Sequence, residues 1–188
     1  MHEQLPNVET KKEKTYLYHM VPSDMQGSVL HPLNTLKSTH PELYLAKALK
    51  YADRRHVMEQ FIPTLECAWN DALHLTAVNP LELKKAIIEA GMHPTEMKFY
   101  EINPDSLDPK NTTVYLYQDK TSNDKMNREN FQDYDPKNLK VHGIISQVTK
   151  DYYKRMHEGG KSPLLFVGVP HILHIGSIDV STLKVITV

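Results

Sequence analysis

Proline most limits what this chain can fold into. Its 12 prolines outnumber its 7 glycines. A proline cannot sit inside a helix without breaking a hydrogen bond, nor donate to a sheet ladder, so single prolines mark where elements open and stop. The run Tyr16-Leu17-Tyr18-His19-Met20-Val21 is β-prone and predicts a first strand that Pro22 stops. Pro41 opens a segment with Leu43, Leu45, Ala46, Leu49 and Met58 at helical spacing, which predicts one or two helices over 41–60, closed by Pro63. At Asn79-Pro80 several signals coincide. Asn79 can cap, Pro80 suits the first helical position, Glu82 stands three after the cap, and Leu83, Ala86, Ile87 and Ala90 form an apolar stripe ending at Gly91.

Period-two alternation predicts a strand over 71–78, and Met97 to Ile102 and Thr113 to Tyr117 are two further strand candidates. A run of turn formers over 103–111 joins these last two, which places them to lie side by side. Almost every residue of 118–140 is polar, with Phe131, Tyr134 and Leu139 as isolated anchors, which predicts a long surface excursion. Ile145, Val148, Tyr152 and Met156 keep helical spacing up to Gly159-Gly160, and Leu164 to Val169, Ile172 to Ile175 and Leu183 to Val188 supply late strands. The expected organisation is a weakly ordered arm over 1–14 and one α+β domain over 15–188.

Bulk properties narrow the function. A chain of 188 residues, 40% hydrophobic and 24% charged, is long enough for one core and too apolar for disorder. Lys and Arg total 22 against 23 Asp and Glu, so no global field attracts a polyanion. Cys67 is the single cysteine, which rules out an internal disulfide and reads as a packed spectator thiol. The polar N-terminus lacks the apolar core of a secretory signal, and no apolar run is long enough to span a bilayer. A cytoplasmic location and no membrane partner follow, with only export by machinery that reads other signals left open.

Familiar reaction templates are missing. Eleven histidines invite a metal, yet His171 and His174, three apart in an extended segment, point to opposite faces and would not converge on one ion. No metal is expected. Neither a phosphate-cradling loop, nor a dinucleotide glycine motif, nor a serine nucleophile elbow occurs.

Three clusters remain. His19 shares strand parity with Leu17 and Val21, so it projects from an apolar face as a satisfied core histidine or as a ligand contact that offers a donor and an acceptor. Trp69-Asn70-Asp71-Ala72-Leu73-His74 holds the only tryptophan. Trp69 and Asn70 there supply either a stacking surface with a bidentate amide for a base-like ring, or a core residue beside a turn. Within Asp53-Arg54-Arg55-His56, Arg54 and Arg55 suit a phosphate or a solvated helix end. His19 and His74 are the first general acid or base candidates.

The strand Tyr16-Leu17-Tyr18-His19-Met20, followed by a turn toward Gly27 and Leu30, resembles the opening of ADP-ribosyltransferase-fold enzymes, including RNA 2'-phosphotransferases and DNA-modifying ADP-ribosyltransferases. Phe99 to Leu107 is similar to a middle strand of that family, and Leu164 to Pro170 through Ile178-Asp179-Val180 to its closing strands. The resemblance implies a split or strongly bent mixed β-sheet flanked by helices, NAD as cofactor, and His19 against its ribose. It also exposes a departure. The family's transferase glutamate opens the late strand, where Ser162-Pro163-Leu164-Leu165-Phe166-Val167 carries no acid, and a leucine cannot stabilise a cationic ribosyl centre.

The expected function is therefore an NAD- or nucleotide-binding, ADP-ribosyltransferase-like protein. Its pocket is built from His19, Arg54, Arg55, Trp69, Asn70 and His74, and an acid would have to come from Glu101 or the 118–140 loop. Its partner is a nucleotide-type small molecule, with no macromolecular target named. The alternatives are a non-catalytic module that engages a protein or nucleic acid through Trp69 and the polar loop, and a hydrolase or nuclease using His19 and His74.

Overall fold

The computed structural model describes residues 14–49, 51, 55–58, 60–117 and 126–188, with the backbone alone at 55. The expected arm over 1–14 thus lies outside the described residues except for Lys14. The first half runs β1 (Leu17–Met20), β2 (Val29–Leu30), α1 (Leu36–Thr39), α2 (Pro41–Leu49), α3 (Arg55–Met58), β3 (Phe61–Ile62) and β4 (Cys67–Ala68). Then come β5 (Ala72–Leu75), α4 (Pro80–Glu89), β6 (Lys98–Ile102), β7 (Thr112–Tyr115) and β8 (Phe131–Asp133). The chain closes with α5 (Gln147–Glu158), β9 (His171–Ile175), β10 (Ile178–Asp179) and β11 (Lys184–Thr187).

These elements form an α+β fold of several small sheets. One sheet has the order β1-β6-β11 and another the order β5-β9-β7-β8, while β2 with β10 and β3 with β4 make short ribbons. All pairings among the described residues are antiparallel, against the mixed sheet expected. A parallel pair needs a long crossover within one sheet. Here α4 leaves β5 in one sheet and enters β6 in the other, and α5 joins β8 to β9 of one sheet with β7 lying between them, so neither crossover makes a parallel pair.

The sheet of β1, β6 and β11 separates two cores because its strands are apolar on both parities. On one face Leu17, Tyr100 and Ile102 meet Leu73, Leu75, Val114 and Ile172 of the four-stranded sheet. On the other, Tyr18 and Phe99 meet Leu83, Ala86 and Ile87 of α4 and Tyr153 of α5. Leu17, Phe99 and Tyr153 are fully buried, each removal from water contributing about 1.5–3 kcal/mol. The two sheets are stitched at one point among the described residues. There the Tyr18 N–H donates to the Thr76 carbonyl at 2.8 Å, and the Thr76 N–H returns a bond to Tyr18 at 3.0 Å.

Helix α4 follows its sequence signals. Asn79 accepts the Leu81 N–H at 2.9 Å, Pro80 opens the helix, and Leu83, Ala86 and Ile87 face the core. Gly91 adopts φ +92°, and a Cβ there would stand 2.9 Å from the His157 ring of α5. Losing the cap by Asn79→Ala should cost about 1 kcal/mol, read as a melting temperature lower by roughly 2–4 °C.

Other expectations are corrected. β6 and β7 do not lie side by side but in different sheets. α5 buries Thr149 and Tyr153, while Val148 is 47% exposed, so its inward face is rotated from the apolar spacing. Leu164 to Val169 forms turns and no strand. Gly168 at φ +75° breaks the extended run, and two tyrosines of α5 capture its main chain. The Tyr153 hydroxyl donates to the Leu165 carbonyl, and the Leu164 N–H donates to the Tyr152 hydroxyl at 3.0 Å. The excursion over 118–140 is partly structured, since β8 pairs with β7 and Phe131, Tyr134 and Leu139 are buried. The helical stretch over 41–60 resolves into α2 and α3. No helix among the described residues is long and apolar enough to cross a membrane.

Candidate functional site

The site forms where the core between the two sheets reaches the open end of β1. His19 stands on the same face as Leu17, opposite Tyr100 on β6, as strand parity requires. Pro22 ends the strand just beyond it, and the core gives way to a cavity of about 290 Å³ lined by His19, Met25, Lys47, Asn70 and His74 among others. A larger cleft of about 1130 Å³ shares His19, Asp24 and Lys47 and continues past Lys98, His157 and Lys161.

Asn70 reaches this cavity through a tight turn over Trp69–Asp71. The turn is held by Asp71, whose carboxylate accepts the Ala68 N–H at 2.9 Å and the Asn34 amide at 2.7 Å. Asn70 is only 5% exposed. Its side chain makes no hydrogen bond among the described residues, and neither of its polar atoms is sealed from the cavity. The amide is thus turned toward whatever fills the cavity, with one acceptor and two donors to offer.

The imidazoles are arranged alike. His19 Nδ1 lies 2.6 Å from the Met20 carbonyl, His74 Nε2 lies 3.1 Å from the Trp69 carbonyl, and His171 Nδ1 lies 2.7 Å from the Val169 carbonyl. A carbonyl only accepts, so each of those nitrogens carries the ring's proton and the other keeps a lone pair. Burial drives His19 down to about 4, and nearby Lys47 pushes the same way. Burial also takes His74 down to about 3, aided by His171 and His19. His171 is lowered by burial as well. At neutral pH these rings are uncharged, each with one donor already used. They offer lone pairs as acceptors, which at neutral pH is the base half of the acid or base role expected of His19 and His74.

Of the residues expected in the pocket, His19, Asn70 and His74 come together. Trp69 does not line the cavity. It is 7% exposed and packs edge-on against His74 at 4.4 Å and Tyr115 at 5.6 Å, between ring centroids. No stacking face is left for a ligand, and the interaction-module reading loses its aromatic contact. Arg54 lies outside the described residues, as does the side chain of Arg55.

His171 was missed as a site residue, because its neighbours follow from the pairing of β9 with β5 and β7 and not from local pattern. His174 points to the other face, as expected. There it donates to the Thr112 hydroxyl at 2.9 Å, which in turn donates to the Asp108 carbonyl at 2.7 Å. Asp24 and Lys47 were also missed, and they form an ion pair of 2.7 Å on the cavity wall. Glu101 pairs with Lys184 at 3.4 Å and is absent from that wall. Among the described residues no group of three His, Cys, Asp or Glu suits a metal ion. Burial, with Asp71 nearby, pushes the Cys67 thiol up to about 11, so it stays protonated and is a poor nucleophile. Comparison of the chain with protein-family models, with curated proteins and with solved structures finds no match.

Proposed function

We propose that the cavity between the two sheets binds a nucleotide of the NAD type, as a binding site and not a transferase centre. The observation that carries this reading is Asn70, an amide 5% exposed that lines the cavity with no hydrogen-bond partner among the described residues, beside the rings of His19 and His74. An amide with one acceptor and two donors matches the hydroxyls of a ribose or the edge of a base. The continuation of the cavity into the larger cleft supports an extended ligand, and Lys161 supplies a cation along it, Lys98 being paired with Glu96 at 3.3 Å. The resemblance of the first strand to ADP-ribosyltransferase-fold proteins supports the position of His19. Transfer chemistry is not part of the reading. The acid on the cavity wall, Asp24, is held by Lys47, whereas a ribosyl cation needs a carboxylate turned toward it.

Millimolar NAD should raise the melting temperature of the full chain. At about 100 times Kd a ligand selective for the folded state stabilises it by about 2.7 kcal/mol, or roughly 5–10 °C for a chain of this size. His19→Ala and Asn70→Leu should each remove most of that rise. An unchanged melting temperature at millimolar NAD overturns the reading.

A further inference from the structure

On the far side of His19 and His74 lies an adjoining cavity of about 220 Å³ whose wall also includes Tyr18, Thr76, Phe166 and His171. Its volume falls below the roughly 300–1,000 Å³ usual for drug-sized ligands, which leaves room for one ring. No charged residue lines it. Thr76 is partly engaged, its hydroxyl oxygen accepting the Val78 N–H at 3.1 Å. Three imidazoles thus stand on the wall beside the hydroxyls of Tyr18 and Thr76, and the imidazoles are its largest polar groups.

Each of those rings has given its single N–H to a main-chain carbonyl: His19 to Met20, His74 to Trp69 and His171 to Val169. The second nitrogen of each has no partner among the described residues, and none of the three is sealed from space, unlike His40 Nδ1 and Asn130 Nδ2. We infer that this cavity is a subsite for an uncharged ring carrying an O–H or N–H donor, recognised by imidazole lone pairs and closed to carboxylates. An anion would be stripped of water where no cation waits for it, and would meet lone pairs with its own. A ring without a donor would leave the buried acceptors unpaired, at the desolvation cost that unpaired groups carry. The packing of Trp69 against His74 and His171 holds two of the rings in place, with centroids 4.4 and 6.0 Å away.

This deepens the nucleotide reading and rests on it only for the remainder of the ligand, so the subsite is tested with small rings in place of a nucleotide. The full chain is labelled with ¹⁵N in its histidines, and long-range proton–nitrogen spectra are recorded at neutral pH with phenol, anisole or benzoate. Without ligand, His19 and His171 should be protonated at Nδ1 and His74 at Nε2. Phenol should move the unprotonated nitrogens of His74 and His171, while anisole and benzoate bind at least about tenfold more weakly. Phe166→Trp, which fills the cavity from a loop, should abolish the phenol response.

Binding of benzoate or anisole as tight as phenol overturns the proposal even if the tryptophan variant fails to fold. So does the absence of any shift at these rings. A phenol response at His74 and His171 without an NAD-induced rise in melting temperature removes the nucleotide reading and leaves the subsite. An NAD effect without a phenol response does the reverse.

Discussion

Replacing Trp69 with alanine should destabilise the protein by about 3–5 kcal/mol, lowering its melting temperature by on the order of 10 °C. Trp69 is buried to 7% exposure and touches three other ring systems, those of His74, Tyr115 and His171. It also joins Ile62, Ala72, Phe131 and Leu173 in one apolar cluster. Deleting the indole removes that apolar surface and leaves a hole which the sheet on one side and the β3–β4 ribbon on the other cannot close, since interiors relax only partly. The carbonyl that orients His74 belongs to the main chain of residue 69 and survives the substitution. Urea melts of Trp69→Ala and Trp69→Phe separate a stacking role from a core role for this residue. A stacking platform at a binding surface would lose affinity with stability changed by no more than about 0.5 kcal/mol, whereas a core residue loses stability, and phenylalanine restores much of it.

Stability should also fall steeply between pH 7 and pH 5, above the range in which ordinary carboxylates titrate. An unfolded histidine takes up a proton near pH 6.5, while folded His19 does so near 4 and folded His74 near 3. Between those values the unfolded state holds more protons, so stability rises with pH. The contribution is complete above about pH 6.5 and is lost on acidification, with His19 ceasing to contribute to the slope near 4 and His74 near 3. At pH 5 the loss is about 2 kcal/mol for each ring. His171 and His174, both lowered by burial, act in the same direction. Lys47 opposes charging of His19, and His171 and His19 oppose charging of His74. Denaturant melts at pH 7.5, 6 and 5 check the sum, and His74→Gln should flatten the profile by about one ring's share. A profile that is flat from pH 7 to pH 5 excludes buried neutral imidazoles.

Where a local signal sufficed, the sequence was legible. Asn79-Pro80 and Gly91 bounded α4, Pro22 bounded β1, and the parity of Leu17, His19 and Val21 placed His19 on an inward face. His171 and His174 separated to opposite faces for the same reason. What escaped local reading depended on partners distant in the chain. Leu164 to Val169 has the composition of a strand, but Tyr152 and Tyr153 take its main-chain groups, and Gly168 abuts Thr149. Val148 has the spacing of a core residue, but it is Tyr153 that packs against α4 and Thr149 that lies against Gly168. The candidate site divides along the same line. His19, Asn70 and His74 were visible as polar residues at apolar positions, while Lys47, Asp24 and His171 join them only through tertiary packing. Trp69 shows the converse error. Its chemistry suggested recognition, and only the ring contacts around it reveal that it supports the histidines from behind.

The junction of Tyr18 with Thr76 has a mechanical consequence. Beside these two main-chain hydrogen bonds Leu17, Tyr100 and Ile102 pack against Leu73, Leu75, Val114 and Ile172, so the sheets are fixed to each other by a bridge and a core together. His19 is one residue from that bridge and His74 two, so a single pair of backbone contacts sets how close the two rings stand.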